Sequence, residues 1–206
     1  MSEPRLPPLP RDKWDDDVEA ALRAGVPESI GDKFMSTGDD AMRVPNGISS
    51  LMYHPRLAGK YLAYNALLLR DQVLPDRIRE LMVLRVAWRT RSQYEWVQHV
   101  RLSQRYGITA DEVGAVGVGA DASNWTALES DLLRATDQLL DTYRIDDEVW
   151  ARLASELDEA SLVEMLYVVG TYTNLAMVFN GLGVQLDPDL DPSIAPPLPS
   201  DQERSA

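Results

Sequence analysis

Glu80, Ser92, Glu95 and His99 are the residues of this chain whose types and spacing suit proton chemistry. Two carboxylates, a hydroxyl and one of only two histidines fall within the stretch ELMVLRVAWRTRSQYEWVQH, from Glu80 to His99. On one helix, Ser92, Glu95 and His99 stand at i, i+3 and i+7 and share a face. Leu102, Ser103 and Tyr106 continue that stripe, and a stripe polar at its top and part apolar below suits a pocket wall. An imidazole titrates near neutrality, and a carboxylate one turn earlier orients it and favours its protonated form. His99 is therefore the expected acid or base, and Glu95 its orienter or a second acid/base. Glu80, on the preceding helix, is the expected proton relay if the two helices pack together; of the cations nearest in sequence only Arg77, at i−3, shares its face, while Arg79 and Arg85 point elsewhere. Ser92 and Tyr106 are the expected substrate contacts; Ser92 is no nucleophile, since no nucleophile elbow surrounds it. The alternative is purely structural, with Glu95 and His99 an ordinary helix pair and Glu80 a hydrogen-bonding anchor.

The same residues carry a resemblance. Glu80, eleven residues, Ser92, two residues, Glu95, three residues, His99 resembles the spacing of the alkylhydroperoxidase D-like and carboxymuconolactone decarboxylase superfamily. In its peroxidase branch, cysteines occupy the positions of Ser92 and Glu95. The segments RELMVLRVAW, YEWVQHVRLSQRYGITADEV and LVEMLYVVGTYTNLAMVFNGLGV are similar to the family too, so the likeness runs over residues 45–186. It implies an antiparallel helical bundle and a homo-oligomer: dimer, trimer or hexamer. It implies cofactor-free proton transfer on a small cyclic or conjugated carboxylate, leading to decarboxylation, isomerisation or lactone chemistry. It also puts Tyr53 and His54 near a pocket entrance, as substrate contacts; the alternative for His54 is a surface or capping role. The competing function is a non-catalytic helical oligomer, or a small-molecule-binding protein, that kept the fold and lost the chemistry.

The chain contains no cysteine, which removes disulfides, thiolate nucleophiles and thiol peroxidase chemistry together. Its net charge of −13 argues against nucleic-acid and anionic-membrane partners, which want a basic patch. No metal is expected: Glu80, Glu95 and His99 are acceptable ligands, but no second histidine lies nearby and Glu95 to His99 is too long for Glu-x-x-His. No cofactor is expected either, because Gly114, Gly117 and Gly119 follow no strand and precede no Lys-Ser/Thr. The N-terminus lacks the basic start and apolar run of a secretory signal, so the expected compartment is the cytoplasm.

Every strong hydrophobic pattern has a period near 3.6, so the fold class is all-α. One helical domain is expected over residues 13–186, with a flexible proline-rich arm at 1–12 and a disordered acidic, proline-rich tail at 187–206. Helices are expected over 15–25, around 31–37, and over 46–70, where Pro55 either kinks the helix or starts a second segment at its first turn, and Leu57, Tyr61, Tyr64 or Asn65, and Leu68 face inward. The next opens at Leu74-Pro75-Asp76 and is apolar on most sides. A joint at 89–91 separates it from the helix that starts at Ser92 and stops at Gly107. Thr109 and Glu112 have capping-box spacing, and helices over 125–143 and 147–157 follow. The apolar stretch 162–184 contains Glu164, Asn174 and Asn180 and is read as a buried helix rather than a membrane span. Tyr167, Tyr172 and Asn174 carry polar tips there, which either line a cavity or satisfy one another. This helix, with Trp88 or Trp96, is the expected oligomer contact, and Arg85, Arg89 or Arg91 the expected counter-charge for a substrate carboxylate.

Overall fold

The computed structural model describes residues 3–199. Among them the secondary structure is entirely helical: α1 (Asp16–Ala24), α2 (Glu28–Met35), α3 (Asn46–Leu51), α4 (Pro55–Arg70), α5 (Asp76–Thr90), α6 (Gln93–Ser103), α7 (Ala110–Val116), α8 (Ala127–Thr142), α9 (Asp147–Glu156) and α10 (Glu159–Leu182). Three short 3-10 turns accompany them. The expected all-α class holds. The chain divides into two compact units, the first comprising 1–72 with 181–187 and the second 73–180 with 188–206.

In the first unit, α1 packs on α4 around a core of Val18, Leu22, Phe34, Met52, Ala58 and Leu62. Of the inward stripe expected on α4, Leu68 is buried and Tyr61 packs on the core, but Leu57 is 62% exposed and Ala58 and Leu62 are buried in its place. Close approach decides this: a Cβ on Gly59 would stand 3.2 Å from the Ala21 Cα, and one on Gly25 would meet the Leu62 Cβ at 2.5 Å. The face with the small residues can come nearest, and so it turns inward. Pro55 starts α4 rather than kinking a longer helix, and His54 is its N-cap. The described part of the proline-rich arm is tied down: the Arg5 amide donates to the Leu182 carbonyl at 2.8 Å, and Leu9 packs on the core.

The second unit is built on α5. Nine consecutive residues, Arg79 to Ala87, are buried, because α6, α7 and α8 all pack on this one helix. It ends where Arg91 takes a left-handed conformation (φ 54°) and the Ser92 amide donates to the Ala87 carbonyl at 3.0 Å. Ser92 then opens α6, so the joint expected at 89–91 is a tight reversal that sets α6 against α5. Ion pairs brace the outside: Arg85 is bidentate to Asp137 on α8 (2.7 and 2.8 Å), and Arg89 reaches Asp137 and Asp141, both at 2.6 Å. Arg77 holds Glu112 and Glu129. The Thr109–Glu112 capping box forms as expected, and Thr126–Glu129 makes a second one at the start of α8.

α10 is long and apolar enough to cross a bilayer by length and composition alone, but 56% of its most apolar window is buried within the fold. Its Glu164 accepts hydrogen bonds from the Val73 and Leu74 amides at 2.9 Å, fixing the entry to α5. The tail behaves differently from the free segment its proline content suggests. Residues 188–199 run along α6, with a 3-10 turn at Pro192–Ile194 and Leu190 buried. Residues 1–2 of the expected arm and 200–206 of the expected tail lie outside the described residues.

Candidate functional site

Helix α5 brings Glu80 to the face of α6 that carries Ser92, Glu95 and His99. Glu80 is completely buried, Ser92 likewise, and Glu95 is 2% exposed. The Glu80 Oε1 is hydrogen-bonded to His99 Nδ1. The orienting carboxylate of the imidazole is thus Glu80, from the neighbouring helix, and not Glu95, one turn earlier on the same helix. The ring also meets Tyr172 of α10 edge-on, with ring centroids 5.1 Å apart at 89°. Of the three polar tips on α10, only that of Tyr172 enters the cluster; Tyr167 and Asn174 are exposed.

Behind Glu80 stands a residue that sequence reasoning assigned to another face. Arg79 is fully buried, and its Nη2 lies 3.6 Å from Glu80 Oε2. Its Nη1 donates to Asp76 Oδ1 at 2.6 Å, and its guanidinium carbon sits 5.3 Å from the centre of the Tyr106 ring. Helical spacing favours partners three or four residues away, which had pointed to Arg77. Arg77 instead turns outward to Glu112 and Glu129, while the long Arg79 stem folds back beside its own neighbour. The readable signal was an arginine next to a glutamate within a helix that has no polar face. Tyr106 joins the cluster through this cation contact.

The charges couple. Burial pushes the His99 imidazole down, but the Glu80 carboxylate, by charge and hydrogen bond, outweighs it, and the pKa ends above the ordinary histidine value. Burial pushes the Glu95 carboxyl up to about 7, against the opposing pull of the Ser92 hydroxyl and the His99 charge. The imidazole therefore holds its proton more firmly than an ordinary histidine, beside a Glu95 carboxyl that near neutrality is divided between its acid and base forms.

Six buried polar atoms in this cluster make no hydrogen bond of ordinary length to another protein group: both Glu95 carboxyl oxygens, Ser92 Oγ, Glu80 Oε2, and Nε and Nη2 of Arg79; Glu80 Oε2 and Arg79 Nη2 face one another as an ion pair at 3.6 Å, and Ser92 stands close enough to Glu95 to lower its pKa. Each such atom costs about 1–3 kcal/mol when left unsatisfied, so folded chains rarely gather them in one place without a use. They supply both donors and acceptors around a histidine that keeps 13% of its side-chain surface exposed.

The remaining expected site residues fall elsewhere. Tyr53 and His54 belong to the first unit; Tyr53 is 42% exposed, and His54 Nδ1 accepts from the Leu57 amide at 3.4 Å, a capping role. Arg85 and Arg89 are engaged by Asp137 and Asp141, so the counter-charge within the cluster is Arg79. Trp96 is completely buried within its own unit and offers no surface to another subunit. Among the described residues no three His, Asp or Glu side chains converge as ligands of one metal ion. A crevice of 510 Å³ between α8 and α9, lined by Ser130, Asp131, Arg134 and Arg152, lies apart from the cluster, and its arginines are paired with Asp121, Asp131 and Glu148.

Comparison with known proteins gives this geometry a context. Residues 55–138 match the Carboxymuconolactone decarboxylase family. An uncharacterized peroxidase-related protein from Ralstonia eutropha JMP134, described as an alkylhydroperoxidase AhpD core, superposes with a TM-score of 0.69 at 17% identity, covering 91% of this chain and 95% of that one. A peroxidase-related protein from Silicibacter sp. TM1040 gives 0.65 at 15% identity, over 87% and 97% of the two chains. The apo debrominase Bmp8 gives 0.67 at 15% identity, over 91% and 94%; a cysteine-to-alanine variant of Bmp8 is known in complex with 2,3,4-tribromopyrrole. At these identities the likeness is one of fold. No curated protein matches the chain.

Proposed function

Because residues 55–138 make this cysteine-free chain a member of the carboxymuconolactone decarboxylase family on an alkylhydroperoxidase D-like fold, we propose that its buried cluster is a cofactor-free acid–base site for a small cyclic or conjugated carboxylate. The observation that carries this reading is the buried set of loosely bonded polar groups, Ser92, Glu95 and Arg79, gathered around the His99–Glu80 pair. In the proposed chemistry Glu95, with its pKa near 7, takes a proton from carbon or returns one to it. His99, held by Glu80, is the proton donor to the developing enolate oxygen. Ser92 and Tyr106 are the substrate contacts, and Arg79 provides the positive charge that a carboxylate needs. In a decarboxylation the C–C bond to the carboxylate breaks, its electrons pass into the conjugated carbonyl, and the carbon is then protonated. In an isomerisation one carbon gives up the proton and another receives it. That a neighbour of the same fold is known with a small brominated pyrrole bound supports a small ring as the occupant.

A second reading is a helical oligomer without catalysis, and one observation favours it. Glu80 and Glu95 are almost closed off from solvent, as in a structural network. In both readings we propose that the chain associates with copies of itself through α10. Val163, Leu166, Tyr167 and Met177 are 53, 37, 56 and 68% exposed along one side of that helix. No charged residue occurs from Met165 to Leu182, and a side chain on Gly170 would meet nothing. In a chain of net charge −13, an uncharged face is where a like-charged copy can approach at the least cost.

The experiment is a panel of conjugated carboxylates and unsaturated lactones, followed by ultraviolet absorbance and by the ring signals of His99. The expected result is at least one compound that moves those signals and is consumed. Glu95→Gln and His99→Gln should slow that consumption by about 100-fold or more with the fold retained. Binding without consumption would leave the non-catalytic reading standing, and no response at His99 would remove the site altogether.

A further inference from the structure

The C-terminal tail makes contacts that neither its composition nor the proposed chemistry requires. Trp96 lies on α6, between Glu95 and His99 in sequence, and is completely buried. Its ring packs edge-on against Trp88 of α5, with centroids 5.4 Å apart. Its indole Nε1 finds its acceptor a hundred residues away, in the carbonyl of Pro196 at 2.7 Å. The 3-10 turn Pro192–Ile194 lies against the same helix, Leu190 is buried, and Arg101 at the far end of α6 meets Asp189 at 3.1 Å. Prolines at 188, 192, 196, 197 and 199 fix the backbone of this segment in advance, so little conformational freedom remains to be lost when it seats. Asp191 closes the turn by accepting from the Ser193 amide at 2.9 Å.

We propose that residues 188–199 form a clasp that holds α6 against α5 and thereby sets the pairing of His99 with Glu80. Helix α6 has only eleven residues, and its first turn carries Glu95 and Trp96 side by side. The His99–Glu80 contact crosses from α6 to α5, as the Trp96–Trp88 contact does. A small outward movement of α6 therefore weakens both, and the tail carbonyl on Trp96 opposes that movement. Trp96 is a positioning residue in this scheme and touches no reacting group. The inference stands whether or not the cluster is catalytic, since it concerns the geometry of the imidazole alone.

The test uses NMR on three proteins: the full chain, a chain ending after Asp187, and Trp96→Phe, which keeps an aromatic ring and removes the N–H. In the full chain, the indole N–H signal that Trp96→Phe deletes should exchange slowly with water, and in the truncated chain that signal should exchange rapidly. In both altered proteins the His99 titration should move down by about half a pH unit or more, as its carboxylate partner is loosened. A rapidly exchanging Trp96 N–H in the full chain overturns the clasp. A protected N–H with His99 titration unchanged in Trp96→Phe overturns the positioning role, and this holds even if the truncated chain fails to fold.

Discussion

Glu95 offers a quantitative test of the site's electrostatics. Its carboxyl is raised from 4.5 to about 7 by burial, so the folded chain binds this proton more tightly than the unfolded chain does. The sign follows from linkage: the contribution to stability is complete below the unfolded pKa and is lost as pH rises through 7. A shift of this size corresponds to about 3 kcal/mol, of which about 2.5 kcal/mol falls between pH 5 and pH 8. Glu95→Gln keeps the shape of the side chain and removes the titration. Urea unfolding of both proteins across that pH range measures the difference directly. The gap in stability, variant minus wild type, should grow by about 2.5 kcal/mol from pH 5 to pH 8, equivalent to a midpoint displacement of about 1 M urea. His99 contributes in the same direction in both proteins, because its pKa is also raised, so the comparison largely removes it. If the two stability curves run parallel, Glu95 is ionised at ordinary carboxylate pH, and the acid–base role proposed for it falls.

Three further substitutions have expected outcomes. Glu80→Gln should take the His99 pKa below the ordinary histidine value, leaving burial and the Arg79 charge to outweigh the Glu95 charge, as NMR titration of the two imidazoles will show. The same change leaves Arg79 with only Asp76 as an ionised partner and should cost about 3 kcal/mol in denaturant unfolding. Gly119→Ala should cost about 1–3 kcal/mol, since that residue has φ +91° and a Cβ would lie 2.7 Å from Arg85 Nη2; an unchanged unfolding midpoint would refute it. Met177→Asp on the exposed side of α10 should lower the molecular mass measured by ultracentrifugation while the helical circular dichroism stays as it was, whereas an unaltered mass would remove α10 from the interface.

How much of this was legible in the sequence depended on whether the signal was local. Period and punctuation are local, so the all-helical class, the reversal after Thr90, the stop at Gly107 and the Thr109 cap were readable. That Glu80 would face His99 followed from a helix apolar on most sides having to pack against its neighbour. What stayed hidden was set by tertiary approach. The face of α4 was chosen by the small residues of α1 and α4, not by its own apolar stripe. Arg79 was placed on the wrong side because a rule for helix surfaces was applied to a helix without one. The Pro196 contact joins residues a hundred positions apart, and nothing within the tail encodes its acceptor.

The positions of Ser92 and Glu95 bear on what kind of chemistry this geometry can support. Two thiols there could exchange electrons through a disulfide; a hydroxyl and a carboxyl cannot, but they can exchange protons. The surroundings that would poise a thiolate also poise a carboxyl: burial at the start of a helix, a cation held one helix away, and an imidazole within electrostatic reach. Burial raises the pKa of either group and the neighbouring imidazolium lowers it, and for the Glu95 carboxyl the balance settles at about 7. The same argument explains the cost of the arrangement. A carboxyl needs more hydrogen-bond partners than a thiol, and neither oxygen of Glu95 has one of ordinary length within the protein.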